Sequence, residues 1–127
     1  MAKILIAEDE RDIRELVAFS LRFLGKFDVV EAANGVEAVE RATAERPDLI
    51  LMDVRMPKMT GYEACKKLKE SDKTKNIPVI FLSAKGQEKE IQLGINAGAE
   101  EYILKPFESD DLINRVRQAL KRSKASQ

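Results

Sequence analysis

The 127 residues carry 22 basic and 22 acidic side chains and no histidine, for a formal net charge of zero. A chain of this length buries roughly two-thirds of its unfolded surface, enough for one domain, and its balanced charge excludes an overall field that would draw it to nucleic acid or an anionic membrane. The lack of histidine excludes Ser-His-Asp and Cys-His catalysis, histidine metal sites and phosphohistidine on this chain, leaving carboxylates, hydroxyls, lysines and the backbone for any chemistry.

From the amino terminus, a short apolar stretch over residues 3–7 reads as a strand that runs into Glu8-Asp9-Glu10. It is too short for a secretory h-region, and no later apolar run approaches membrane-spanning length. Ile13, Leu16, Val17, Leu21 and Leu24 then recur at helical spacing and predict one apolar face. Residues 27–32 form a second strand. Asn34 and Glu37 open a second helix as a capping box, packed through Ala38, Val39 and Ala42. Asn34-Gly35 also fits a hairpin turn, against which the following helical pattern argues.

Residues 48–53 are a third strand ending in Asp53, followed by a helix marked by Ala64, Cys65 and Leu68. The lone Cys65 has no partner for an internal disulfide and fits a reducing cytosol. It reads as helix packing rather than as a reactive thiol, since no histidine is present to activate it. A fourth strand over 77–83 ends at Ser83. The helix at about 87–96 is the weakest: Ile91 and Ile95 are expected to pack, but Gly94 costs about 1 kcal/mol relative to alanine, which marks a moving part. A fifth strand over 99–104 runs into Lys105-Pro106. The last helix packs through Leu112, Ile113, Val116 and Leu120, with Asp110 and Asp111 at its start and Lys121 and Arg122 at its end, as the macrodipole favours. Residues 1–122 are expected to form the domain and 123–127 a short polar tail.

Five strand–helix repeats imply right-handed crossovers and an α/β fold with a parallel sheet covered on both faces; a three-layer (βα)5 doubly wound sheet with strand order 2-1-3-4-5 fits them. Short Ile-, Val- and Leu-rich runs suit strands covered on both faces. In that order strands 1, 3, 4 and 5 are neighbours. Glu8, Asp9, Asp53, Ser83 and Lys105 therefore line one crevice at their carboxyl ends, where open α/β sheets bind ligands. Three crowded carboxylates repel one another, so either one takes up a proton or a cation occupies the site. Mg²⁺ suits it, being a hard ion that takes one or two carboxylates, keeps waters and recruits phosphate. Asp53 could then act as a nucleophile on phosphorus, giving an acyl phosphate. Mg²⁺ and Lys105 would supply neutralising charge and Ser83 a hydrogen bond. Taken singly each residue has a plainer reading, as a cap, a loop entry or a solvated lysine before a turn proline. Their joint placement carries the functional one.

These residues bring the whole chain to a family resemblance. Ile4-Leu5-Ile6-Ala7-Glu8-Asp9-Glu10 is one matching motif, and Leu49-Ile50-Leu51-Met52-Asp53 continuing through Arg55 and Pro57 to Gly61 is a second. Ile80-Phe81-Leu82-Ser83-Ala84 is a third, and Ala97-Gly98-Ala99 through Tyr102 to Lys105-Pro106-Phe107 completes the set. The chain resembles a response-regulator receiver domain of two-component signalling, whose fold is flavodoxin-like; the order 2-1-3-4-5 is the one known from flavodoxin and the chemotaxis receivers.

The resemblance implies that Asp53 is the phosphoacceptor for a sensor histidine kinase or histidine phosphotransfer protein. Asp9, Asp53 and the backbone carbonyl of Arg55 would ligate Mg²⁺, with Glu8 acting through bound water. Ser83 and Lys105 would hold the phosphoryl oxygens, and Lys105-Pro106 would be cis. Tyr102 would be the switch aromatic, swinging inward when Ser83 moves; on sequence alone it reads equally as half-buried packing. The output would be the face formed by helix 4, strand 5 and helix 5, eased by Gly86, Gly94 and Gly98. Glu8 stands where aspartate is usual and Ser83 where threonine is frequent, and both keep the chemistry. Arg55 and Lys85 lie two residues past Asp53 and Ser83 and read either as solvated cations or as modulators of the attacking water.

Such a protein is a signalling domain rather than an enzyme, although it promotes its own phosphorylation and dephosphorylation. It would be cytoplasmic, a monomer or weak dimer, with an output protein of unknown identity and neither nucleic-acid contact nor membrane insertion. A chemotaxis-type regulator, a phosphorelay intermediate and a receiver excised from a larger hybrid kinase or regulator all fit. Two other classes fit less well. A flavodoxin-like cofactor binder needs a glycine- and hydroxyl-rich loop where Glu8-Asp9-Glu10 stands, and a haloacid dehalogenase-type phosphatase needs an acid where Arg55 stands.

Overall fold

The computed structural model describes residues 1–84 and 86–125. Strands β1 (Lys3–Ala7), β2 (Asp28–Ala32), β3 (Leu49–Asp53), β4 (Val79–Ser83) and β5 (Glu101–Leu104) alternate with helices α1 (Arg11–Phe23), α2 (Gly35–Glu45), α3 (Gly61–Glu70), α4 (Glu88–Asn96) and α5 (Ser109–Ala125). All pairings are parallel, in the order β2-β1-β3-β4-β5. Every strand lies within its expected span. The last helix reaches Ala125, through residues 123–125 of the expected tail.

Side-chain alternation along the strands divides the core into two layers. Ile4, Ile6, Leu49, Leu51, Ile80, Leu82 and Ile103 pack with Val17, Ala18 and Leu21 of α1 and with Leu112, Ile113 and Val116 of α5. Leu5, Ala7, Ile50, Met52, Val79 and Phe81 pack with Ala38 and Ala42 of α2 and Ala64, Cys65 and Leu68 of α3. β3 and β4 are buried along their whole length, which is why their sequences read as unbroken apolar runs. Cys65 is packing: it is fully buried, its thiol lies 3.3 Å from the carbonyl of Ala97, and burial pushes its pKa up to about 11 despite Lys69 nearby.

Two helix faces differ from expectation. On α1 the buried residues are Val17, Ala18, Ser20 and Leu21, while Leu16 is 65% exposed and Leu24 stands outside with it. The helix carries two apolar stripes, because Leu16, Phe19 and Phe23 also recur at i, i+3 and i+7, and spacing does not say which stripe meets the sheet. Leu24 is the C-cap, past the last helical turn. On α4 Ile95 is 50% exposed and the buried residue is Gly94. A Cβ on Gly94 would come within 2.9 Å of the Tyr102 ring and 3.1 Å of the Phe81 ring, so this helix packs through a missing side chain.

The caps position the loops. Asn34 accepts the Glu37 N–H at 2.9 Å and caps α2, but the Glu37 carboxylate reaches back to the Ala33 N–H rather than to Asn34's, so the box is a variant and no hairpin forms. Thr60 and Glu63 form a reciprocal capping box at the start of α3. There the Gly61 N–H donates to the Val54 carbonyl at 2.8 Å, and a Cβ on Gly61 would collide with the carbonyl of Asp53. This close approach ties the start of α3 to the end of β3. Gly61→Ala should therefore lower stability by about 1–3 kcal/mol, the usual cost of overpacking, read from the urea unfolding midpoint. An unchanged midpoint would show that this approach is not a constraint.

Candidate functional site

The parallel register brings the strand ends together at one edge of the sheet. Asp53 closes β3, Glu8 and Asp9 follow β1, Ser83 closes β4, and Lys105 follows β5. Ala7 pairs with Met52, Asp53 with Leu82, and Ser83 with Leu104, so these ends are level with one another. The candidate residues are thus brought together. One carboxylate oxygen each from Glu8, Asp9 and Asp53 lies within 4.8 Å of the others.

A cationic side chain stands among these acids. The Lys105 ammonium donates to Glu8 Oε1 at 2.9 Å and lies 3.5 Å from Asp53 Oδ2. The second oxygen of Glu8 accepts the Glu10 N–H at 3.2 Å, and Asp53 Oδ1 accepts its neighbour Val54's N–H at 2.8 Å. Both acids therefore fix one oxygen with a backbone donor and turn the other toward the ammonium. Glu8 is only 2% exposed, whereas Asp9 is on the open side. Burial, followed by the hydrogen bond and the charge of Glu8, raises the pKa of Asp9 above its ordinary value. For Lys105 burial pulls downward, but the Glu8 hydrogen bond and the charges of Asp53 and Glu8 outweigh it and hold the ammonium above its usual pKa. An array of hard carboxylate oxygens that already attracts a cation fits a divalent ion of the Mg²⁺ type.

The remaining candidates surround this cluster. Ser83 is buried, and its carbonyl accepts the Lys105 N–H at 2.8 Å. The Lys105-Pro106 bond is cis. Arg55 is exposed in the loop after β3, where buried Val54 and Met56 anchor the chain on either side of it. Lys85 lies outside the described residues.

Tyr102 is half-buried in the second core layer, with its ring 6.2 Å from that of Phe81. Its hydroxyl lies 3.3 Å from the Tyr62 hydroxyl, which is 3.0 Å from the Glu90 carbonyl and 3.1 Å from the Glu90 carboxylate. A phenol has one proton to donate, so Tyr62 serves Glu90 and accepts from Tyr102. Burial first, and then Tyr102 and Glu90, hold the Tyr62 phenol well above its ordinary pKa. Sequence reasoning did not reach Tyr62 or Glu90. They meet only because α3, α4 and β5 pack together, and no motif or spacing marks that.

A family model for the response regulator receiver domain matches residues 4–117. The alkaline phosphatase synthesis transcriptional regulatory protein PhoP of Bacillus subtilis (strain 168) is 40% identical over 121 residues, covering 95% of this chain and 49% of PhoP. The chain spans about half the length of the curated relatives it matches. Among solved structures, a response regulator of Chloroflexus aurantiacus J-10-fl superposes with a TM-score of 0.89 at 34% identity, covering 94% of this chain and 98% of that one. The receiver domain of the sensor histidine kinase PA1611 from Pseudomonas aeruginosa PAO1, with magnesium coordinated in its active-site cleft, gives a TM-score of 0.83 at 31% identity and covers 95% of each chain. Among the described residues no helix is long and apolar enough to cross a membrane. Strand order, the acids and lysine at one edge, and a match running from β1 into α5 agree: this chain belongs to the response regulator receiver domain family.

Proposed function

We propose that Asp53 accepts a phosphoryl group from a phosphohistidine of a sensor kinase or phosphotransfer protein. The observation that carries this reading is the clustering of Glu8, Asp9 and Asp53, two of which, Glu8 and Asp53, pair with the Lys105 ammonium. The step is a displacement at phosphorus. A carboxylate oxygen of Asp53 forms the new P–O bond, the P–N bond to the donor imidazole breaks, and its electron pair leaves on the imidazole nitrogen. Mg²⁺, held by Asp9, Asp53 and the Arg55 carbonyl with Glu8 acting through water, would supply charge neutralisation at the phosphoryl oxygens. Lys105, already 3.5 Å from Asp53, pairs with one of those oxygens, and the Ser83 hydroxyl hydrogen-bonds another. Residues 1–122 serve as the receiver unit. The same pocket governs loss of the phosphoryl group, with Arg55 and Lys85 setting how water reaches it.

The output reading follows from the aromatic cluster. Phosphorylation adds charge and acceptor oxygens beside Ser83, and it acts only through its different interaction with two pre-existing arrangements. Tyr102 packs against Gly94 of α4 and is linked through Tyr62 to Glu90. A shift at Ser83 is relayed through Tyr102 to the face formed by α4, β5 and α5, which engages a partner protein. The protein works in the cytoplasm, binds that partner as a monomer or weak dimer, and makes no direct nucleic-acid contact through this domain.

Three outcomes are expected. Incubation with acetyl phosphate and Mg²⁺ should phosphorylate the wild type and leave Asp53→Asn unmodified, read by intact-protein mass spectrometry; equal modification of both would exclude Asp53 as the acceptor. Amide shift mapping with beryllofluoride should show changes reaching α4, β5 and α5, and changes confined to the neighbourhood of Asp53 would refute the relay. Replacing Arg55 by Asn or Lys85 by Ala should alter the dephosphorylation rate severalfold. Rates equal to wild type in both variants would return these cations to the role of solvated surface charges.

A further inference from the structure

Arg14, on the first turns of α1, takes no part in the chemistry above, yet it touches the loop that presents the acids. Its guanidinium side chain is 17% exposed and reaches two acceptors at once. One terminal nitrogen donates to the Glu8 carbonyl at 2.8 Å, and Nε pairs with Glu31 Oε1 at 3.3 Å. Glu31 lies on β2 and is held from its other oxygen by Arg22 at 3.5 Å, two turns further along α1. The Glu8 N–H donates to the Ala32 carbonyl, also on β2, at 3.0 Å. Both ends of the Glu8 backbone are therefore held from the edge strand: the N–H directly, and the carbonyl through Arg14 and Glu31.

That carbonyl belongs to the peptide joining Glu8 to Asp9, so its orientation sets the direction in which Asp9 leaves the strand. We propose that Arg14 is a positioning residue for the cation site, fixing the Glu8–Asp9 peptide so that the two carboxylates keep their spacing to Asp53. The inference rests on the magnesium reading above and extends it to a residue that touches neither the cation nor the phosphoryl group. The planar fork of arginine suits the role because it spans a carbonyl and a carboxylate in one geometry, whereas lysine offers a single point charge. Outer residues that orient metal ligands typically change metal affinity by 10–100-fold when lost.

The test is Mg²⁺ titration by isothermal calorimetry, with thermal melting run alongside. Arg14→Ala is expected to weaken Mg²⁺ binding about tenfold, Arg14→Lys to give an intermediate value, and Glu31→Gln a smaller loss in the same direction. Because Glu31 acts through Arg14, the double variant Arg14→Ala/Glu31→Gln should bind no more weakly than Arg14→Ala alone. A lowered melting temperature with unchanged Mg²⁺ affinity overturns the proposal, since it reduces Arg14 to a staple between α1 and β2. Additive losses in the double variant also overturn it. Should Arg14→Ala fail to fold, Glu31→Gln decides: weaker Mg²⁺ binding supports the role and wild-type binding overturns it. Failure of the wild type to bind Mg²⁺ overturns the magnesium reading and this inference together, a result distinct from any of the variants failing alone.

Discussion

The Lys105 ammonium, 2.9 Å from Glu8 and 3.5 Å from Asp53, is the interaction on which this edge of the sheet depends. Two carboxylates up to 4.8 Å apart repel by roughly 3 kcal/mol or more at an effective dielectric of about 20. Three of them would strain a domain whose whole stability is about 5–15 kcal/mol. One lysine offsets part of that repulsion, and backbone donors at Glu10 and Val54 take a further share. Asp9 remains above its ordinary pKa, first through burial and then through Glu8. A site in that condition retains an appetite for positive charge.

The site was legible in the sequence because of its topology. A polar residue at the end of an apolar strand is ordinary, but parallel strands place all such ends along one edge. Asp53, Ser83 and Lys105 could thus be assembled on paper from strand order alone, and Glu8-Asp9 with them. The helix faces were less legible. α1 has two apolar stripes, and only packing against the sheet selects Val17, Ala18 and Leu21 over Leu16. For α4 the pattern favoured Ile95 and treated Gly94 as a flaw, whereas the absent side chain is what admits the Tyr102 and Phe81 rings. Tyr62, Glu90, Arg14 and Glu31 were not visible as functional candidates. Each acquires its place from partners remote in the chain, and nothing in residue type or spacing announces them.

Strand parity adds a constraint on how the site sits relative to the aromatic cluster. Ile6, Leu51 and Ile103 all face α1 and α5, and carrying the alternation forward puts Glu8, Asp53 and Lys105 on that same side. Phe81 and Tyr102 belong to the opposite layer, and Ser83 shares the parity of Phe81. The acids with Lys105 and the aromatic cluster under α4 therefore lie on different faces of one sheet, with Ser83 on the aromatic side. Asp53 is paired with Leu82, and Ser83 is the next residue of β4, level with Leu104 beyond Tyr102. Ser83 thus stands at the strand end where the two faces meet. Phe81 lies two residues earlier on β4, and its ring meets the Tyr62 ring of α3 edge-on at 5.2 Å. Rings packed this closely tie β4 to α3 and, across Gly94, to α4, with no room for a side chain between them.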